Sequence, residues 1–175
     1  MSGHGGWLDG ASQRFFGVFV GKEDLPSPEV LRAMFAVHVP TVTIWAAGLL
    51  GLIFVVLSAR VVMARMQGKV LLGDGDASTA EGGPAPLLVA IRSQANFAEY
   101  VPLCLLLISG LEMRSGPTLL VKTLAGFLIL ARIAHPYGMA MPSPNPFRAG
   151  GFLLTVLVLA VASLAAILDA LTSPV

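Results

Sequence analysis

Four apolar runs alternate with polar breaks along the chain: Thr41–Val62, Ala85–Leu111, Pro117–Ile133 and Gly150–Leu168. Each approaches the ~20 residues that a helix needs to cross a bilayer core of about 30 Å. Inside lipid, backbone amides and carbonyls must pair within the protein, which leaves helices or closed barrels. The pattern therefore predicts an all-α, integral membrane four-helix bundle. The second run differs from the others in its interior, where Arg92, Asn96, Glu99 and Tyr100 interrupt the apolar residues. At ~100° per residue, Arg92, Asn96 and Glu99 fall within an arc of about 60°, and Tyr100 lies about 80° round from Arg92. An ionisable side chain at mid-membrane costs ~2.5–3.5 kcal/mol on insertion scales. Opposite charges on one stripe of a span thus predict internal partners or a polar ligand.

The connections carry their own signals. Residues 1–38 form an N-terminal extension interrupted by Arg14, Lys22, Glu23, Asp24, Glu29 and Arg32, so it is neither a signal peptide nor a span. Within it, Trp7, Leu8, Phe15, Phe16, Val18, Phe19 and Val20 suit an interfacial amphipathic segment, with an unstructured tail as the alternative. Pro28 followed by Glu29 through Val39 predicts a helix that feeds directly into the first span. The stretch Gly73-Asp74-Gly75-Asp76-Ala77-Ser78 resembles the start of a calcium loop but lacks its acidic twelfth ligand. Leu88 or Ala85 stands there instead, so an ordinary turn is expected and no metal. Pro142, Pro144 and Pro146 predict a stiff extended loop between the third and fourth spans, and Pro136 is expected to end or kink the third helix.

Composition agrees: 55% of the 175 residues are hydrophobic, 12% are charged, and mean hydropathy is +0.81, more apolar than one soluble core requires. A net charge of +1 with scattered basic residues excludes a nucleic-acid stripe. The single cysteine, Cys104, lies in an apolar run and is expected to serve packing. Counting Lys and Arg near the span ends gives six on the side of the first-to-second and third-to-fourth connections against five on the other. This small bias favours those two connections being cytoplasmic.

Depth is more telling. Arg60 and Arg65 end the first helix, Arg92 to Glu99 begin the second, Arg132 and His135 end the third, and Arg148 begins the fourth. Alternating helices bring these ends together with Tyr100 and Tyr137. Glu99 can neutralise one arginine, and the remaining positive charge asks for an anionic ligand, since arginine forks suit carboxylates. For Arg60 and Arg65, snorkelling to lipid headgroups is an equal alternative.

The segment Ile91-Arg92-Ser93-Gln94-Ala95-Asn96-Phe97-Ala98-Glu99-Tyr100-Val101-Pro102 resembles the second-helix signature R-x-x-x-N-x-x-E-Y-x-P of the MAPEG family, the membrane-associated proteins of eicosanoid and glutathione metabolism. Ser58-Ala59-Arg60 with Arg65, the Gly-Asp-Gly turn and Ala131-Arg132-Ile133-Ala134-His135 support it, and the resemblance extends from about Thr41 to Leu168. It implies a homotrimer in a bacterial inner membrane, with glutathione as cosubstrate bound between subunits near the cytoplasmic side. It also implies roles. Arg92 and Asn96 would meet the glutathione carboxylate and backbone groups, Glu99 the free amine, and Tyr100 the pocket wall, while Arg132 and His135 match third-helix positions. Gln94 lies about 200° from Arg92, so a role for it would fall across a subunit boundary. An arginine near the fourth helix start, or one at the first helix end, would stabilise the thiolate; Arg148 and Arg60 are the two candidates.

The chemistry implied is a glutathione-dependent membrane transferase or peroxidase acting on lipophilic electrophiles or lipid hydroperoxides. These small-molecule partners would enter from the membrane lipid. A non-catalytic lipid- or thiol-binding relative and a structural or transport-like membrane protein are the alternatives. A thiolate-stabilising arginine within reach of the sulfur separates the first from the second. Interrupted helices or internal repeats, which this chain does not show, would mark a transporter.

Overall fold

The computed structural model describes residues 27, 37–75 and 84–172. The chain divides into two units, Met1–Val37 and His38–Val175, and the architecture given is that of the second. It consists of four helices: α1, Thr41–Gly68; α2, Pro86–Ser115; α3, Leu119–Met139; and α4, Pro146–Thr172. All four are long and apolar enough to cross a membrane. The amphipathic segment expected at 7–20 lies outside the described residues. Residues 37–40 are not helical, so the continuous helix expected from Glu29 into the first span does not form.

Every helix runs past the C-terminal end of the apolar run that predicted it, and α4 also begins earlier than its run. Hydropathy marks only the part of a helix that meets lipid tails, whereas the helix itself continues until its backbone is capped. At 1.5 Å per residue, α1 and α2 reach about 42–45 Å, the thickness of a bilayer with its headgroups. α3 starts later because Thr118 caps it, its side chain accepting from the Val121 amide at 3.3 Å. It then runs through Pro136 to Met139, so of the two expected outcomes the proline does not end it. Pro136 is buried, and a proline inside a membrane helix is tolerated where neighbouring helices hold the backbone. The 140–145 connection is short and bent rather than extended.

The core is a stripe of α2 residues at helical spacing, Phe97, Val101, Cys104, Ile108 and Leu111, packed against Leu50 and Leu57 of α1, Leu124 and Leu128 of α3, and Val158 and Ala162 of α4. Cys104 is fully buried there. Outward faces remain apolar, with Trp45, Leu52, Leu157 and Leu164 more than half exposed. These are surfaces for lipid or another subunit.

At one end of the bundle, α1 has no side-chain cap of its own. Glu112 of α2, completely buried, supplies it: its carboxylate accepts from the Val42 and Thr43 amides at 2.8 Å each and from the Thr43 hydroxyl at 2.7 Å. A carboxylate is well matched to free amides at a helix N-terminus. Glu112→Gln keeps the shape but removes the charge and one acceptor oxygen. We expect it to cost about 1.5–3 kcal/mol of stability, read as a lower melting temperature in detergent; an unchanged melt would show that the charge is dispensable.

Candidate functional site

At the opposite end, where α1 and α3 finish and α2 and α4 begin, a cavity of about 650 Å³ opens, within the ~300–1,000 Å³ typical of small-molecule sites. α2 contributes Arg92, Ala95, Asn96 and Glu99; α3 contributes His135 and Met139; the connection contributes Ser143, Pro144 and Asn145; α4 contributes Arg148, Ala149 and Phe152. The α2 residues recur at i, i+3, i+4 and i+7, so the polar stripe expected from periodicity is one wall of the cavity. Glu99 lies about 20 Å along α2 from its start, so the cavity reaches well into the bundle.

Local sequence aims Arg148. Pro146 occupies the first helical position of α4, and the Asn145 side chain accepts from the Phe147 amide at 2.9 Å and the Arg148 amide at 3.4 Å. This is an N-cap followed by proline, and it fixes the turn that carries Arg148. Two glycines let α3 and α4 approach. A Cβ on Gly138 would sit 2.1 Å from the Arg148 nitrogen, and one on Gly151 would sit 2.7 Å from the His135 nitrogen and 2.9 Å from the Ala131 oxygen.

Behind this wall lies Arg132, only 1% exposed. Its guanidinium donates to Asn96 Oδ1 at 2.8 Å, to the Gly151 carbonyl at 3.3 Å and to the Thr155 hydroxyl oxygen. No carboxylate pairs with it among the described residues. Its Nε, like Nδ1 of the buried His135, is sealed from solvent with no hydrogen-bond partner. The side chains of Arg92, Glu99 and Arg148 line the same cavity, are exposed in the single chain, and form no ion pair or hydrogen bond among the described residues. Two guanidiniums and one carboxylate thus face one volume with their bonding capacity free. A zwitterionic ligand with surplus carboxylate matches that set.

Other expected residues lie elsewhere. Arg60 is half-buried on α1 and does not line the cavity. Arg65 binds the following turn, donating to the carbonyls of Leu71 at 3.4 Å and Gly73 at 2.9 Å. Tyr100 stands outside the cavity, edge-on to Phe152 with ring centroids 5.8 Å apart. Tyr137, placed by the sequence around the polar volume, is turned outward, 56% exposed and edge-on to Phe147 at 5.3 Å, because it follows His135 by about 200° of helix rotation. Gln94 is also corrected: it donates to the Ser58 hydroxyl on α1 at 2.9 Å, inside the same chain rather than across a subunit boundary. Sequence reasoning missed Asn145, Phe152 and Thr155. Of these, Asn145 had a readable signal in the Asn-Pro pair that opens a helix.

Residues 43–168 match the model of the MAPEG family. The chain belongs to the MAPEG family. "Inner membrane protein YecN" of Escherichia coli strain K12, and the protein of that name in strain O6:H1, are each 35% identical to it over 92 residues. The match takes in 53% of this chain and 65% of theirs, so it spans just under two-thirds of the length of these curated relatives. No solved structure matches the chain. MAPEG proteins include glutathione transferases and peroxidases as well as non-catalytic members, and they are usually trimers. Arg92, Asn96 and Glu99, which share the cavity wall, lie within the matched residues.

Proposed function

We propose that the protein is a glutathione-dependent transferase or peroxidase of a bacterial inner membrane, a location that the relatives' name gives for them. The observation that carries this reading is the unpaired set of Arg92, Glu99 and Arg148 facing one cavity. Arg92 and Asn96 hold glutathione through its carboxylate and backbone groups, and Glu99 binds its amine. Arg148 lies against the sulfur, with Arg60 as the competing residue. His135 and Arg132 complete the site from α3, and Tyr100 backs its wall. The cavity is open on one side and its charged residues are exposed in a single chain, so a neighbouring subunit of a homotrimer closes it, with the site towards the cytoplasm.

A free cysteine thiol titrates near ~8.5, and bringing it to ~7 takes about 2 kcal/mol of preferential thiolate stabilisation, within reach of one well-placed arginine. The thiol proton leaves to water. The thiolate then forms an S–C bond to an electrophilic carbon as the leaving group departs with its electron pair. Alternatively it attacks the terminal oxygen of a lipid hydroperoxide, forming an S–O bond as the O–O bond breaks; the departing alkoxide takes a proton from water and leaves as the alcohol, and a second thiol reduces the sulfenic acid to give a disulfide and water.

The test is glutathione titration of the detergent-purified protein, followed by calorimetry, by thiolate absorbance in the ultraviolet and by native mass spectrometry. Binding to a trimer with thiolate formation is expected. Glu99→Gln, which keeps the shape and an acceptor oxygen but removes the counter-charge for the amine, is expected to weaken binding about tenfold or more. Binding without thiolate would replace the enzyme with a binding protein; no binding would end the proposal; a monomer with full affinity would remove the shared site.

A further inference from the structure

The buried hydrogen bonds behind the cavity run in one direction. A threonine hydroxyl has a single proton. That of Thr155 is committed to the Gly151 carbonyl at 2.8 Å, so towards Arg132 its oxygen can only accept. A guanidinium has donors and no acceptor. The atom that Asn96 turns to Arg132 must therefore be its carbonyl oxygen, as found at 2.8 Å, since an amide NH2 there would face a second donor. The amide NH2 is left on the other side. Asn96 lines the cavity. Among the described residues its Nδ2 makes no hydrogen bond, and it is not among the sealed unpartnered atoms, so it is open to the cavity.

We propose that Thr155 is a positioning residue of this pocket: with the Gly151 carbonyl it fixes the Arg132 guanidinium, which in turn pins Asn96 so that its amide offers the ligand a donor and no acceptor. Thr155 touches nothing in the cavity and acts through Arg132. It lies in α4, one helical turn beyond Gly151, so the glycine that lets α4 approach α3 also supplies the carbonyl that orients the threonine. The specificity that results is for an acceptor oxygen, a carboxylate or peptide carbonyl, at the Asn96 position; an ammonium or hydrogen-bearing amide nitrogen presented there is refused. The inference rests on the proposed function for the ligand's identity, glutathione, and on the buried network alone for the polarity.

Asn96→Asp separates the two possible roles of Asn96. It keeps an oxygen for Arg132, now with a charge-assisted bond, and replaces the donor facing the cavity with an acceptor. We expect Asn96→Asp to melt at or above the parent temperature in detergent while its glutathione affinity falls about tenfold or more. Thr155→Val, matched in shape but without the hydroxyl, is expected to weaken glutathione binding several-fold, and Thr155→Ser to restore it; Thr155→Ala takes the place of the valine variant should that not accumulate. Parental affinity in Asn96→Asp would overturn the donor assignment, and parental affinity in Thr155→Val or Thr155→Ala would overturn the positioning role. If the parent itself binds no glutathione, the proposed function fails, and the melts alone decide the polarity. Asn96→Leu and Thr155→Val must then melt below the parent, with Asn96→Asp and Thr155→Ser at or above it. Any other order overturns the network as described.

Discussion

Gly138→Ala is expected to cost about 3 kcal/mol or more of stability and to lower glutathione turnover by around a hundred-fold. The added Cβ would lie 2.1 Å from the backbone nitrogen of Arg148 and 2.7 Å from its Cα. Both atoms belong to the first turn of α4, so no side chain can rotate away. The helix end must move by an ångström or more, and overpacking against backbone belongs at the severe end of its usual ~1–3 kcal/mol range. The same shift carries the Arg148 guanidinium with it, and misplacing a catalytic group by about 1 Å can cost ~10²-fold in rate. Gly48→Ala and Gly110→Ala serve as controls, because a Cβ at either position meets nothing within 4 Å and alanine is the better helix former. Melting in detergent and turnover of a generic aryl halide are the measurements. If Gly138→Ala melts and turns over like the controls, the close approach of α3 and α4 does not position Arg148.

The residues legible in the sequence are those whose placement depends on one helix at a time. Arg92, Asn96 and Glu99 share a wall because a 3.6-residue period puts them on one stripe, and that period needs no knowledge of neighbours. The spans were legible for the same reason. What was not legible depends on pairs of helices. Periodicity turned Gln94 away from Arg92 correctly, but whether α1 or another subunit covers that face is a question of packing, and Ser58 answers it. The buried acceptors that hold Arg132, Gly151 and Thr155, lie 19 and 23 residues further along the chain on α4, so α3 alone does not reveal them. The capping of α1 by Glu112 of α2 likewise depends on two helices meeting, and nothing in either span alone signals it. Of the two outcomes expected at Pro136, an end to the helix is the one that does not occur, because neighbouring helices hold a buried proline that would break an isolated helix.

Arg148→Leu is expected to lower the acid ionisation constant of bound glutathione about thirty-fold, the equivalent of the ~2 kcal/mol that thiol activation requires, and its thiolate population at pH 7 about fifteen-fold, while leaving glutathione affinity largely intact. Sequence alone left Arg148 and Arg60 as rivals, because each lies at a helix end on the same side of the bundle. The cavity favours Arg148, which lines it from a capped helix turn, while Arg60 on α1 does not reach that wall within one chain. Arg60→Leu is accordingly expected to retain thiolate absorbance and aryl halide turnover. The reverse outcome, loss with Arg60→Leu and retention with Arg148→Leu, would assign activation to α1 and require that helix to reach the sulfur from a neighbouring subunit. Arg148→Lys sharpens the comparison, since it keeps the charge but loses the planar fork. If charge alone stabilises the thiolate, the lysine variant should recover most of the ionised glutathione; if the fork is needed, it should resemble leucine. Retention of thiolate and rate in all three variants would remove arginine activation from the mechanism altogether.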